Sequence, residues 1–214
     1  MINVCYTICP KSIDRDTLQR VMDSLPESVL EEAKQLNDER RRLNFLTGRL
    51  MLKQMVPDEL MKIERTNLGK PYLSNGQQFN ISHSGALVVC AVSNKQRLGV
   101  DSEKVKKVNL QDYDSALNDD DHYSIRNARD KMKAFYRIWT QKESLMKADG
   151  RGIFINMKDI ILDNMEGYIK GEPTKWRIIS FTVGDDYEIS VCHEWGKEDV
   201  RLIKRDSIWT EAVL

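Results

Sequence analysis

Two short runs decide the fold of this chain: Gly-Val-Asp-Ser-Glu at 99–103 and Trp-Thr-Gln-Lys-Glu-Ser-Leu-Met-Lys at 139–147. The first run follows alternating apolar residues, a pattern that predicts the end of a β-strand. Side chains two residues apart on a strand point to the same face, so Asp101 and Glu103 are expected to project together.

The second run has the spacing of a helix. Residues four apart share one helical face, which places Trp139, Glu143 and Lys147 in a single stripe. If this helix packs across the strand end, three carboxylates converge with a lysine beside them. Three carboxylates plus waters form a ligand set that a hard divalent cation accepts. Trp139 is expected to anchor the helix in the core.

Composition predicts a globular chain. Its 214 residues are 41% hydrophobic and 31% charged, enough for one sizeable core or two small ones. Lys+Arg and Asp+Glu both number 33, and this balance predicts no nucleic-acid binding. Neither a membrane span nor a secretion signal is recognised, so we expect no membrane partner and a cytoplasmic location. The four cysteines are expected to be reduced core residues.

The spacing of apolar residues predicts the same order of elements in both halves of the chain: helices first, then a meander of strands. In the first half, a strand at 2–8 is followed by helices up to about residue 51, with an interruption expected near residues 37–38. Strands at 79–82 and 86–92 come next, joined by a turn at 83–85. In the second half, a polar and acidic region at 104–121 is expected to be a loop with helical pieces. A helix at 131–147 and further strands follow it. The predicted class is therefore α+β, with halves at 1–99 and 100–214 and a site at their junction.

Four blocks together carry a family resemblance. Phe-Asn-Ile-Ser-His-Ser-Gly at 79–85, preceded by Gly-Lys-Pro at 69–71, and Gly-Arg-Gly-Ile at 150–153 flank the two runs above. In order and spacing they resemble the 4′-phosphopantetheinyl transferases of the larger, surfactin-synthetase-activating type. The resemblance covers roughly residues 40–155. It implies two similar α+β halves related by a pseudo-twofold, so that the protein is a monomeric pseudo-dimer.

The implied reaction moves 4′-phosphopantetheine from coenzyme A to a serine of an apo acyl- or peptidyl-carrier protein and releases 3′,5′-ADP. By resemblance, Asp101, Glu103 and Glu143 are the ligands of magnesium, with manganese as the alternative, because a metal stabilises charge on phosphate oxygens. Lys147 would contact the leaving phosphate of coenzyme A and assist catalysis. The base stays open between Glu143, Asp121 and a metal-bound water.

The resemblance also implies contacts to the rest of coenzyme A. Ser82 and His83 correspond to residues that the family places on the phosphates, and Lys70 to a lysine near the nucleotide. Where the family has an arginine for the 3′-phosphate, this chain has Asn44. Arg41, about one helical turn away, is the expected substitute.

The residue types leave other functions open. A module that binds coenzyme A or a carrier without turnover is the main alternative, and a metal-dependent phosphodiester hydrolase is a third. The presence of all three carboxylates and of Lys147 favours the transferase. A carrier protein, usually acidic, is expected to dock across the cleft between the halves, on the basic and apolar segment 104–135.

Overall fold

The structure, a computed structural model, describes residues 1–56, 62–196, 199–206 and 208–211. Its mixed helices and largely antiparallel sheets confirm the α+β class. The helices are α1 (Arg15–Ser24), α2 (Glu27–Lys34), α3 (Glu39–Met55), α4 (Asp119–Asn127), α5 (Lys131–Asp149) and α6 (Ile208–Glu211). The strands are β1 (Ile2–Ile8), β2 (Ile63–Arg65), β3 (Pro71–Leu73), β4 (Gln78–Ser84), β5 (Leu87–Ser93), β6 (Leu98–Lys104), β7 (Ile160–Asp163), β8 (Glu166–Ile169), β9 (Lys175–Val183), β10 (Tyr187–Glu194) and β11 (Val200–Lys204).

The first main sheet has the order β11-β1-β5-β4. It is antiparallel except for β1 and β11, which run parallel. Helix α3 packs on this sheet through a buried core that includes Leu46, Leu50 and Phe79. The helix begins after Asp38, whose carboxylate accepts the Arg41 N–H, so the predicted interruption near residues 37–38 is confirmed as a helix cap.

The second main sheet has the order β6-β10-β9-β8-β7 and is antiparallel throughout. Helix α5 lies across β6 and β10. Part of this contact is polar, since the buried Thr140 and Ser190 hydroxyls lie 2.8 Å apart and Ser180 lies 2.9 Å from Ser190. Buried hydroxyls that bond each other avoid the cost of unpaired polar groups.

The two main sheets meet edge to edge, because β4 and β6 are each the last strand of their sheet. Three side chains of β4 accept hydrogen bonds from the β6 backbone at two-residue intervals. The pairs are Val100 N–H to Asn80 Oδ1 at 2.8 Å, Ser102 N–H to Ser82 Oγ at 3.2 Å and Lys104 N–H to Ser84 Oγ at 3.0 Å. The side chains of β4 thus accept the backbone N–H groups of β6, which has no neighbouring strand on this edge of its sheet within the described ranges.

The end of the chain returns to the first half. Strand β11 pairs with β1, and Ile208 and Trp209 are buried against the α3 core. The expected division between residues 99 and 100 falls inside β6, whose residues all belong to the second sheet. Strand β11 and helix α6 pack with the first sheet although they follow the second sheet in the chain, and the division into two halves stays a prediction.

One local prediction was wrong. His83 and Ser84 belong to β4, and the turn before β5 consists of Gly85 and Ala86, with Gly85 at φ 58°. The acidic run at 118–121 forms the start of α4, one of the helical pieces expected in this region, and Asn118 and Asp121 form a capping box there. None of the helices in the described ranges has the length and apolar character needed to cross a bilayer.

Candidate active site

Gly99 lets helix α5 lie directly against strand β6. A Cβ at this position would lie 2.2 Å from the Ser144 carbonyl oxygen and 2.4 Å from the Ala148 nitrogen, distances that no real Cβ tolerates. Only glycine permits this approach of two backbones. Because Asp101 follows two residues later on the strand, the close contact brings it under the helical face that carries Glu143 and Lys147.

An open pocket of about 400 Å³ lies at this junction of the two halves. We name it the acidic pocket. Its lining residues are Ile81, Ser82, His83, Asp101, Glu103, Trp139, Glu143 and Lys147. The structure thus brings together the carboxylates, the lysine and the histidine that the two runs and the block at 79–85 contribute.

Asp101 and Lys147 form the closest charged contact of the acidic pocket. The Lys147 ammonium donates to Asp101 Oδ1 at 2.5 Å, and the Ser82 hydroxyl donates to the same oxygen at 3.0 Å. Asp101 is only 4% exposed, and its second oxygen, Oδ2, has no hydrogen-bond partner among the described residues. A buried carboxylate oxygen without a partner is costly, and a cation would satisfy it.

The other two carboxylates are held in unfavourable surroundings. Burial raises the pKa of Glu143, and the nearby Asp101 charge raises it further. Burial also raises the pKa of Glu103, although the Ser84 hydroxyl, which donates to it at 2.7 Å, opposes this shift. In the described part of the chain, Glu143 has no hydrogen bond or ion pair of its own. The pocket therefore holds more negative charge than its lysine compensates.

The donor set of the acidic pocket fits a divalent cation. Within the described residues, no three His, Cys, Asp or Glu side chains are already arranged around a metal position, and Lys147 holds one Asp101 oxygen. Three mutually repelling carboxylates and the unpartnered Asp101 Oδ2 are nevertheless the hard oxygen ligands that magnesium or manganese prefers. The metal-binding role of Asp101, Glu103 and Glu143 stays a prediction.

His83 lies on the exposed rim of the acidic pocket. Its pKa is lowered, first because the pocket wall removes water from the charged imidazole and second because the Lys147 ammonium repels that charge. Arg41 contributes a smaller repulsion, which places its guanidinium within electrostatic reach of His83. His83 and Lys147 line the acidic pocket together, and the Arg41 charge acts on His83 from outside its lining.

The three arginines at 40–42 have different surroundings. Arg40 donates to the Pro10 carbonyl at 2.7 Å, and Arg42 donates to the Leu36 carbonyl at 2.8 Å. Both guanidinium groups hold loops in place. Arg41 is exposed, and its guanidinium has no hydrogen bond or ion pair within the described ranges, which leaves it available to a ligand. Asn44 is buried and donates to the Gly85 carbonyl at 3.0 Å, a structural contact.

The structure does not bring Asp121 to the acidic pocket. Its carboxylate is buried, accepts the Asn118 N–H at 2.9 Å and forms a short ion pair with the Lys142 ammonium. Lys142 is fully buried and also donates to the Met157 carbonyl at 3.1 Å. This pair joins α4 to α5. The expectation that Asp121 serves as the base has no support in its position.

Lys70 likewise has a structural partner set. Its ammonium donates to the Leu98 carbonyl at 3.0 Å and to the Ala148 carbonyl at 2.7 Å, so it joins β6 to the last turn of α5. Burial lowers its pKa to about 8. Lys70 lines a neighbouring pocket of about 240 Å³ that shares Lys147 with the acidic pocket. Its expected contact to coenzyme A stays a prediction, and two of its three donors are already in use.

Two side chains of the site were missed in the sequence. Ser84 binds Glu103, and it was overlooked because residues 83–85 were interpreted as a turn. Reading the strand to residue 84 would have placed Ser84 on the same face as Ser82. Trp139 was expected in the core. Its ring centroid lies 5.2 Å from that of Tyr113 and 5.8 Å from that of Phe135, and the side chain also lines the acidic pocket.

Comparison with known proteins agrees with an α+β enzyme that handles phosphate groups. Residues 97–192 match the 4′-phosphopantetheinyl transferase superfamily, and residues 13–95 match a family described as 4′-phosphopantetheinyl transferase, N-terminal. The chain belongs to the 4′-phosphopantetheinyl transferases, of the type represented by the Sfp protein.

Several curated relatives are similar over most of their length. The 4′-phosphopantetheinyl transferase gsp of Aneurinibacillus migulanus is 24% identical over 171 residues, which cover 76% of this chain and 72% of the relative. Sfp of Bacillus subtilis is 29% identical over 152 residues, 65% of this chain and 67% of Sfp. AcpT of Salmonella typhimurium is 30% identical over 132 residues, 59% of this chain and 67% of AcpT.

Proposed function

We propose that this enzyme transfers 4′-phosphopantetheine from coenzyme A to a serine hydroxyl of an apo carrier protein and releases 3′,5′-ADP. The observation that carries the proposal is the acidic pocket, where Asp101, Glu103 and Glu143 lie beside Lys147 at the junction of the two halves. Names of the relatives support transfer of phosphopantetheine as the reaction class. The protein acts as a monomer, whose two halves form the cleft.

Asp101, Glu103 and Glu143 would hold magnesium, or manganese in its place. A bound metal supplies stabilisation of the charge that develops on the pyrophosphate oxygens. The unpartnered Asp101 Oδ2 and the raised pKa values of the two glutamates support this assignment.

Glu143 and Lys147 act on the proton of the attacking hydroxyl and on the charge of the leaving group, respectively. The serine oxygen forms a bond to the phosphorus that carries pantetheine, and the bond from this phosphorus to the 3′,5′-ADP oxygen breaks. Glu143 accepts the hydroxyl proton, because its carboxylate lines the acidic pocket beside Lys147 and has no hydrogen bond or ion pair with the described residues. The Lys147 ammonium neutralises charge on the leaving phosphate.

His83 and Arg41 bind the 3′-phosphate of coenzyme A. This assignment is supported by the position of His83 in the pocket lining, by the electrostatic effect of Arg41 on His83, and by the Arg41 guanidinium, which has no partner within the described ranges. Arginine at this position can form two parallel hydrogen bonds to a phosphate. Ser82 would contribute to substrate binding only indirectly, since its hydroxyl is buried and donates to Asp101.

The carrier docks on segment 104–135, beside the mouth of the acidic pocket. Lys106 and Lys107 are exposed there, and the Tyr123 ring is 66% exposed. These side chains suit an acidic partner with a small apolar patch. The cytoplasm is the compartment we propose, supported by four cysteines that are free and buried.

The test is to incubate the protein with coenzyme A, magnesium and a panel of apo carriers from fatty-acid, polyketide and nonribosomal-peptide systems. Mass spectrometry of each carrier is expected to show a gain of one phosphopantetheine on at least one of them. A carrier with its acceptor serine changed to alanine is the matched control and gains nothing. If no carrier gains mass while coenzyme A still binds, the protein is a binding module instead.

A further inference from the structure

Two carboxylates of the acidic pocket are held by the same three-atom arrangement. The Ser82 hydroxyl donates to Asp101 Oδ1 at 3.0 Å and accepts the Ser102 N–H at 3.2 Å. The Ser84 hydroxyl donates to Glu103 Oε2 at 2.7 Å and accepts the Lys104 N–H at 3.0 Å. In both cases one hydroxyl of β4 binds a carboxylate on β6 and the backbone N–H of the next residue.

This geometry fixes the carboxylate relative to its own strand. Each serine hydroxyl accepts the backbone N–H one residue beyond the acid and donates its hydrogen to that acid. The Ser82 hydroxyl also accepts from the Ser102 hydroxyl at 3.3 Å and from the Lys147 ammonium at 3.4 Å. The carboxylate loses rotamer freedom, and one of its oxygens is used by the serine. The other oxygen is left for a ligand, which matches the unpartnered Oδ2 of Asp101.

Asn80 provides a natural comparison within the same strand. Its Oδ1 accepts the Val100 N–H at 2.8 Å, so it makes the same backbone contact as the serines. The β6 residue beside this contact is Gly99, which has no carboxylate. Asn80 therefore joins the two strands without holding an acid, whereas the serines do both.

We propose that Ser82 and Ser84 are positioning residues that orient Asp101 and Glu103 toward a divalent cation. Ser84 does not line the acidic pocket, so it acts on a ligand there only through Glu103. The inference rests on the proposed function of the acidic pocket as a metal site. Side chains that orient metal ligands commonly contribute tenfold to a hundredfold in metal affinity, so the effect is measurable.

The experiment measures the affinity of the purified full chain for Mn²⁺ by electron paramagnetic resonance, without coenzyme A or carrier. Ser84→Ala is expected to weaken Mn²⁺ binding about tenfold or more. Ser84→Cys, nearly equal in size but a weak donor, is expected to do the same if the alanine variant folds poorly. Ser84→Thr keeps the hydroxyl and should retain most of the affinity.

Two further variants separate positioning from general stability. Asn80→Ala is expected to lower the melting temperature while leaving Mn²⁺ affinity within about twofold of the parent, since it holds no acid. In a Glu103→Gln background, Ser84→Ala should have little additional effect, because the serine acts through that carboxylate.

The inference is overturned if Ser84→Ala and Ser84→Cys bind Mn²⁺ like the parent, or if Asn80→Ala weakens binding equally. Additive losses for Ser84→Ala and Glu103→Gln would also contradict it. If the parent chain itself binds no Mn²⁺, the metal site of the proposed function fails together with the inference, a result distinct from all the others.

Discussion

Gly99→Ala tests whether the close approach of β6 and α5 builds the acidic pocket. The added Cβ would lie 2.2 Å from the Ser144 carbonyl oxygen, roughly 1 Å short of ordinary van der Waals contact. Its other close neighbours are the Ala148 nitrogen at 2.4 Å and the Lys147 Cβ at 2.8 Å, and neither atom can be moved by a side-chain rotation. Helix α5 must therefore move away from β6 by about 1 Å.

This displacement should reduce both stability and turnover. Overpacking against backbone costs about 3 kcal/mol, the upper end of its usual range, which lowers the melting temperature by about 6–12 °C. A misplacement of 1 Å between the Glu143–Lys147 stripe and Asp101 should reduce transfer about a hundredfold. Calorimetry and mass-based transfer assays at saturating coenzyme A measure the two effects separately.

Gly196→Ala is the matched control. Its Cβ would lie 2.5 Å from the amide nitrogen of Gln96, the end of a flexible side chain that can turn aside. We expect this variant to retain the melting temperature and the activity of the parent. If Gly99→Ala behaves like Gly196→Ala in both assays, the argument from backbone contact is refuted.

Three further predictions concern charged groups. Burial and Asp101 raise the pKa of Glu143, so the folded state loses stability as pH rises from the unfolded-state pKa of this group to its folded-state pKa. Glu143→Gln should therefore raise the melting temperature at pH 7 while it abolishes transfer. In calorimetry at pH 4 this increase in melting temperature should disappear. The Lys70 pKa of about 8 lies below its ordinary 10.5, so between these values the unfolded state binds more protons and the free energy of unfolding rises with pH. In urea unfolding, the free energy of the parent minus that of Lys70→Met should therefore increase from pH 8 to pH 10. A difference that stays constant would contradict the shift. Lys142→Met strands the buried Asp121 charge and should cost about 3–5 kcal/mol in urea unfolding, while the double variant with Asp121→Asn should recover part of the loss.

The periodicity of the sequence determined which side chains share a face. Alternation along β6 aligned Asp101 with Glu103, and the helical repeat aligned Glu143 with Lys147, since both spacings are local properties of the backbone. The helix interruption near residues 37–38 and the strand at 2–8 were predictable for the same reason.

Turn-forming residue types misled the sequence analysis at the end of β4. Serine, histidine and glycine at 83–85 have the composition of a turn. In the fold, Ser82 and Ser84 instead bond the edge of another sheet, a partner that lies about twenty residues away in the chain. The tertiary contacts with β6 therefore outweigh the local preference of residues 83–85 for a turn.

Only the tertiary structure determined which charged side chains are available to bind a ligand. Arg40, Arg41 and Arg42 are identical in type and adjacent in sequence, yet Arg40 binds the carbonyl of Pro10, Arg42 binds that of Leu36, and the Arg41 guanidinium binds none within the described ranges. Lys70 and Asp121 were both candidate site residues, and the fold places backbone carbonyls around the lysine and Lys142 against the aspartate. The partner of a charged side chain depends on contacts between segments far apart in the chain, and residue spacing carries no record of those contacts.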